Sequence, residues 1–164
     1  RDLLMIFVTL GSQKFQFDRL LKKLDELVGQ GIIKEEITAQ IGASTYIPQN
    51  FPYVRFMDRG KFAEVMDQCS TVITHGGTGV IIGAVKKGKK VIAVPRLARY
   101  GEHVDDHQMQ LLHQFDELGI ICACYDTEQL GKCYQALEQM NFRPYVSNTH
   151  VIIESIESYL CSLK

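Results

Sequence analysis

The chain contains no tryptophan, only four prolines and no excess of either charge. A net charge of −1 over 164 residues leaves no basic face for a polyanion, which argues against nucleic-acid binding. No apolar run approaches the length of a membrane span and no signal peptide is visible, so a cytoplasmic protein is expected. Metal-ligand spacing is also missing among the five cysteines, at positions 69, 122, 124, 133 and 161. Cys122-x-Cys124 lies in an apolar, strand-like run that puts both on one side. It is not a redox Cys-x-x-Cys, and small buried hydrophobes in a reducing compartment are the plain reading. Repeats, low-complexity tracts and domain linkers are absent, and the length suits one domain with a real core. Residues 1–4 carry no pattern; the domain is read as 5–164, from Met5 onward.

What is present is a glycine loop in a telling place. The apolar run 71–74 breaks straight into His75-Gly76-Gly77-Thr78-Gly79, followed by a helical segment at 80–87 and a second apolar run at 91–94. Successive glycines let the backbone approach a ligand closely, and the free N–H groups of a first helical turn favour an anion. A phosphate-bearing ligand fits this; so does a tight strand-to-helix turn with no ligand, since one glycine loop is a weak signal.

The rest of the chain alternates. Strands are expected at 5–10, 36–41, 54–57, 71–74, 91–94 and 120–124. Phe17, Leu20, Leu21, Leu24, Leu27 and Val28 recur at helical spacing, and further helices are expected at 61–69, 80–87, 104–118, from Asp126 to about 140, and at 147–163. Residues 45–52 read as a loop, and Asp126 with Gln129 resembles a capping box. The pattern predicts an α/β, Rossmann-like doubly wound domain with a mostly parallel sheet, whose ligand sits beyond the carboxyl ends of the strands. Three segments should meet there: Gly11-Ser12-Gln13, the glycine loop, and residues 95–108.

Each segment offers polar chemistry. Gly11 and Ser12 suit a phosphate or sugar hydroxyl, or form an ordinary turn. His75 can donate to an oxygen or anchor the loop, and Thr78 can cap the next helix or bind phosphate. Arg96 and Arg99 flank the cleft and could neutralise a diphosphate, or simply face solvent. In Glu102-His103-Val104-Asp105-Asp106-His107-Gln108, a metal site is conceivable because His103 and His107 share a helix face, but no third ligand is specified. An acidic helix start and a set of acceptors and donors for sugar hydroxyls are the compatible alternatives.

Val8-Thr9-Leu10-Gly11-Ser12, Thr74-His75-Gly76-Gly77-Thr78-Gly79, the run from Gly88 to Arg96 and Gly101-Glu102-His103-Val104-Asp105-Asp106-His107-Gln108 occur in this order. Together they resemble the carboxyl-terminal, donor-binding half of family 28 glycosyltransferases. The likeness is greatest to its free-standing versions: the small cytosolic subunit of the eukaryotic dolichol-linked UDP-N-acetylglucosamine transferase, and counterparts in bacterial capsule and exopolysaccharide synthesis. The resemblance implies half of a GT-B architecture that binds a UDP-sugar, with a membrane-anchored partner holding a lipid-linked saccharide acceptor. It implies recruitment to the cytoplasmic face of the membrane through that partner, and a possible homodimer in isolation. By the same resemblance Gly11, Ser12, Gly76, Gly77, Thr78 and Gly79 face the diphosphate with Arg96 and His75 nearby, while Glu102, Asp106, His107 and Gln108 face the ribose or hexose. Gly83 stands where full-length relatives carry a ribose-binding carboxylate, so the ribose must be held otherwise.

The implied reaction is inversion at the anomeric carbon without metal or other cofactor, the leaving UDP being stabilised by backbone N–H groups and a helix N-terminus. Asp105-Asp106 is not an Asp-x-Asp metal motif. The general base is expected from the partner, with His75 as second choice. An accessory subunit that enhances a catalytic partner, and a nucleotide-responsive regulatory module, are the alternatives.

Overall fold

The computed structural model describes residues 5–144 and, beyond them, Ser158; the helix expected over 147–163 and Cys161 lie outside the described residues. Six strands form one parallel sheet: β1 (Met5–Thr9), β2 (Glu36–Gln40), β3 (Tyr53–Val54), β4 (Thr71–Thr74), β5 (Lys90–Ala93) and β6 (Cys122–Ala123), in the order β3-β2-β1-β4-β5-β6. Between them run α1 (Asp18–Gly29), α2 (Arg59–Gln68), α3 (Thr78–Lys86) and α4 (His107–Glu117), and α5 (Leu130–Ala136) follows β6. Strand order reverses between β1 and β4, which opens a crevice at their carboxyl ends.

Continuous apolar strands work here because both faces are covered. Ile6, Val8, Ile73, Ile92 and Val94 point into one layer with α1 and α5, while Phe7, Val72, Val91 and Ala93 point into the other with α2, α3 and α4. Phe7 packs edge-on against Phe62 at 5.1 Å. At the carboxyl edge a buried polar ladder crosses three strands. Thr74 Oγ1 donates to the Thr9 carbonyl at 2.6 Å, and Thr9 Oγ1 donates to Gln40 Oε1 at 3.0 Å.

Several element limits differ from expectation. The third strand is Tyr53–Val54 rather than 54–57, because pairing ends with Gly42 N–H donating to the Arg55 carbonyl, and Asp58 then caps α2 through Lys61 N–H at 2.8 Å. β6 spans only Cys122–Ala123. The stretch from Asp126 to Gln139 is not one helix but a 3₁₀ turn, the short α5 and a second 3₁₀ turn. Asp126 accepts from Glu128 N–H at 3.0 Å, one residue short of a capping box. The loop at 45–52 is fixed by buried Asp25 of α1, which accepts from Tyr46 Oη and, at 2.8 Å each, from Gln49 and Asn50 N–H. Tyr46 and Phe51 therefore serve packing, while Ile47, Tyr53, Val54 and Phe56 remain exposed.

Candidate functional site

The three expected segments do converge at the crevice. α3 starts directly beneath the glycine loop, and it starts uncapped: Gly77 is the N-cap residue and no side chain accepts from the first turn. Thr78 is therefore the first helical residue rather than the cap, and its hydroxyl has no partner among the described residues. Gly79 is exposed, with nothing within 4 Å of where a Cβ would stand. Among the described residues no acceptor takes the first-turn N–H groups, which is the arrangement that favours an anion. Ser12 lies exposed at the carboxyl end of β1, and its hydroxyl too has no partner among the described residues.

His75 is 4% exposed and its ring lies between two glycines. A Cβ at Gly11 would come within 2.8 Å of Nε2, and one at Gly77 within 2.6 Å of Cε1. Gly11 also has φ +77°, which an L side chain rarely adopts. These glycines make room for a histidine as well as for any ligand.

Gln108, expected to face a sugar, is buried and fully engaged. Its Oε1 accepts from Gly76 N–H and Arg96 N–H, each at 3.0 Å, joining the loops after β4 and β5. That fixes the amide orientation, so Nε2 is the end directed at His75 Nδ1, 3.2 Å away. Nδ1 then accepts, and the neutral imidazole carries its proton on Nε2. Burial, and then the Arg96 guanidinium, push the pKa of His75 down to about 3.

Arg96 and Glu102 also depart from expectation. Arg96 is 1% exposed, and Nη1 donates to the carbonyls of Phe15, Gln16 and Glu102 at 3.1–3.2 Å while Nη2 donates to that of Leu10. It braces the loops from beneath, with its guanidinium 5.0 Å from the Phe17 ring centroid, and does not reach out to an anion. Burial lowers its pKa to about 10, which leaves it charged at neutral pH. Glu102 is wholly buried and takes a bidentate pair from Arg19, Nε to Oε2 and Nη2 to Oε1 at 3.0 Å each; Oε1 also accepts from Leu97 N–H. Sequence reasoning missed Arg19, which sits 83 positions away on the polar face of an amphipathic helix with no local signal.

Asp106 and His107 stay nearer the surface. Asp106 is exposed, with Oδ1 accepting from Ala98 N–H at 2.7 Å. His107 is half-buried; its Nδ1 has no hydrogen bond among the described residues and lies 3.7 Å from Asp105 Oδ2. His103 Nδ1 is 3.3 Å from Asp105 Oδ1, so both histidines turn toward that carboxylate. Arg99 lies at the surface beside Tyr100. Gly83 sits on the half-exposed side of α3, with nothing within 4 Å of a Cβ there. A cavity of about 460 Å³ lies away from the crevice at the amino edge of the sheet, and another of about 580 Å³, between α1 and the 127–129 turn, is bordered by Arg19, Tyr100 and Glu102.

A six-stranded parallel sheet of this order, with an open glycine-loop shelf at the switch point, defines a Rossmann-like domain of the kind that forms the carboxyl-terminal half of GT-B glycosyltransferases. The chain belongs to the glycosyltransferase family 28 C-terminal domain family, matched over residues 5–158. Among solved structures it is similar to ALG13, at 19% identity and TM-score 0.62, covering 95% of this chain and 98% of that one. It is also similar to MurG of Acinetobacter baumannii (17% identity, TM-score 0.59, 96% of this chain and 50% of MurG). The glycotransferase of kitacinnamycin is a third (16%, TM-score 0.61, 96% of this chain), and the present chain spans 39% of its length. These likenesses speak to the fold. No curated protein sequence matches the chain.

Proposed function

We propose that this chain is the donor-binding part of an inverting, metal-independent glycosyltransferase that moves a hexose from a UDP-sugar to a lipid-linked acceptor held by a membrane-anchored partner. The observation that carries the reading is the uncapped N-terminus of α3 at the switch point, with the hydroxyls of Thr78 and Ser12 unpartnered among the described residues. A diphosphate seated there meets backbone donors already oriented and needs no loop to refold around it. Each helix-terminus contribution is about 0.3–2 kcal/mol, so several donors acting together are required for useful affinity. The same donors stabilise the negative charge that grows on the leaving diphosphate as the glycosidic bond breaks.

The hexose side is thinner. With Glu102, Gln108 and Arg96 engaged inside the fold, Asp106 and His107 are the members of the expected set left near the surface. That favours a second reading in which this chain is an accessory subunit that holds the nucleotide while the partner supplies most sugar contacts. Calorimetric titration with UDP and UDP-hexoses, alone and with a co-expressed membrane-anchored partner, tests both. Heat of binding with UDP plus transfer that depends on this chain's Thr78 and Asp106 supports the first reading. Transfer indifferent to both residues supports the second, and no UDP binding in either setting sinks the two together.

A further inference from the structure

The cavity of about 580 Å³ between α1 and the 127–129 turn takes no described lining residue from the glycine loop or from Gly11 and Ser12. Its size is that of a small-molecule pocket, about 300–1,000 Å³. Thr127 lines it while only 5% exposed, yet its hydroxyl has no partner among the described residues. A polar group so enclosed ordinarily has one. Arg19 offers a second spare donor. Its Nε and Nη2 are held by Glu102 and the Pro95 carbonyl at 3.0–3.1 Å, which leaves Nη1 without an acceptor among the described residues. Neither atom is sealed off, because the unpartnered side-chain atoms closed to solvent are Arg96 Nε and His107 Nδ1. The Lys22 ammonium and the Tyr100 hydroxyl, on the same cavity, also make no hydrogen bond among the described residues.

Charge balance selects the ligand. Arg19, Lys22 and Lys23 line the cavity together with Asp18, Glu26, Glu102 and Glu128, a net of −1 that disfavours an anion, while three fixed cations oppose a fourth. Acceptors remain as well as donors. Glu26 and Glu128 share the single Lys23 ammonium, at 3.4 and 3.3 Å, and keep lone pairs free. Spare donors beside spare acceptors suit an uncharged ligand that is rich in hydroxyl groups. Tyr100, 46% exposed, adds an aromatic wall for the C–H face of a pyranose. We propose that this cavity is a saccharide site, separate from the diphosphate shelf, that takes a neutral hexose unit. The sugar oxygens accept from Thr127, Arg19 Nη1 and Lys22, and the sugar hydroxyls donate to Glu26 and Glu128. The site shares no described residue with the glycine loop, so it stands or falls independently of UDP binding there.

Nitrogen-15 spectra of the intact chain, titrated with methyl glucoside, methyl galactoside and N-acetylglucosamine, test the proposal. At least one sugar should shift the amides of Lys22, Tyr100 and Thr127 saturably, and equally with and without UDP. Thr127→Val and Lys22→Ala should each weaken that sugar at least about threefold, for the loss of one hydrogen bond. Lys22 is exposed, so its variant keeps the test sound if Thr127→Val disturbs the turn. Glucuronate, the charged analogue, should bind at least about threefold more weakly than the neutral sugar. The absence of a saturable shift with all three sugars would overturn the assignment. So would tighter binding of glucuronate or inorganic phosphate, full affinity in both variants, or shifts abolished by UDP, which would put the sugar in the crevice instead.

Discussion

Gln108 directs its amide nitrogen at Nδ1 of His75 across 3.2 Å, and the same side chain accepts from the backbone of Gly76 and Arg96. One glutamine therefore ties β4's loop to β5's and decides which nitrogen of a buried histidine carries the proton.

Gln108→Ala should cost about 2–4 kcal/mol, because two buried N–H groups and one ring nitrogen lose their partner. Urea unfolding measures it. Gln108→Glu should fare better than Ala, since a carboxylate still accepts from both N–H groups. A loss below about 0.5 kcal/mol in Gln108→Ala would mean that the amide is not holding the loops.

His75 should remain neutral far below ordinary histidine behaviour, with Nδ1 as the unprotonated nitrogen. Nitrogen-15 spectra read both properties directly. The folded-state pKa of about 3 lies below the ordinary 6.5, so the unfolded chain takes up this proton first. The stability it contributes is fully present above about pH 6.5 and falls as pH drops toward 3. His75→Gln should flatten this part of the stability–pH curve. A titration midpoint near 6.5 in the folded protein would refute both the burial argument and the tautomer.

Gly79→Asp should weaken UDP binding by about tenfold or more, since a carboxylate at the start of α3 competes for the N–H groups and repels a diphosphate. Stability should hold or rise slightly, because nothing lies within 4 Å of the added Cβ and an acidic residue suits a helix start. Calorimetry and thermal unfolding on one sample separate the two effects. Unchanged UDP affinity would remove the main support for the diphosphate site.

Glu102→Ala should destabilise the fold by about 3 kcal/mol, because it leaves Arg19 and Leu97 N–H without their acceptor. The ratio of UDP-hexose to UDP affinity should not move. A change in that ratio with little loss of stability would return Glu102 to the sugar.

Gly83→Glu offers a gain instead. The position lies within α3 with open space at its Cβ, so replacing glycine should add about 0.5–1 kcal/mol of helix stability. A carboxylate there should also tighten UDP binding relative to UDP's ribose-free fragment, pyrophosphate. Equal effects on both ligands would show that no ribose lies beside it.

The sheet was legible because its strands are continuous apolar runs flanked by amphipathic helices, a pattern that depends on local spacing. The glycine loop was legible for the same reason. What local spacing cannot carry is the direction of a polar side chain. Glu102, Asp106, His107 and Gln108 look alike as a polar cluster, yet two are buried braces because Arg19 and the Gly76 and Arg96 amides lie against them in space. Arg96 misled for a related reason: charge next to a crevice suggests contact, and only packing against Phe17 and four carbonyls shows it facing inward.

Arg96's inward orientation has an electrostatic side. Its four acceptors are neutral carbonyls, and the nearby carboxylate of Glu102 is already matched by Arg19. With Arg19 pairing Glu102, the Arg96 guanidinium, 1% exposed, keeps a positive charge walled off from solvent at the carboxyl end of the sheet. Counter-ions cannot crowd such a charge as they do one at the surface, so its field persists through protein at ionic strengths that silence exposed lysines. An arriving anion would be drawn in by a residue that it never touches.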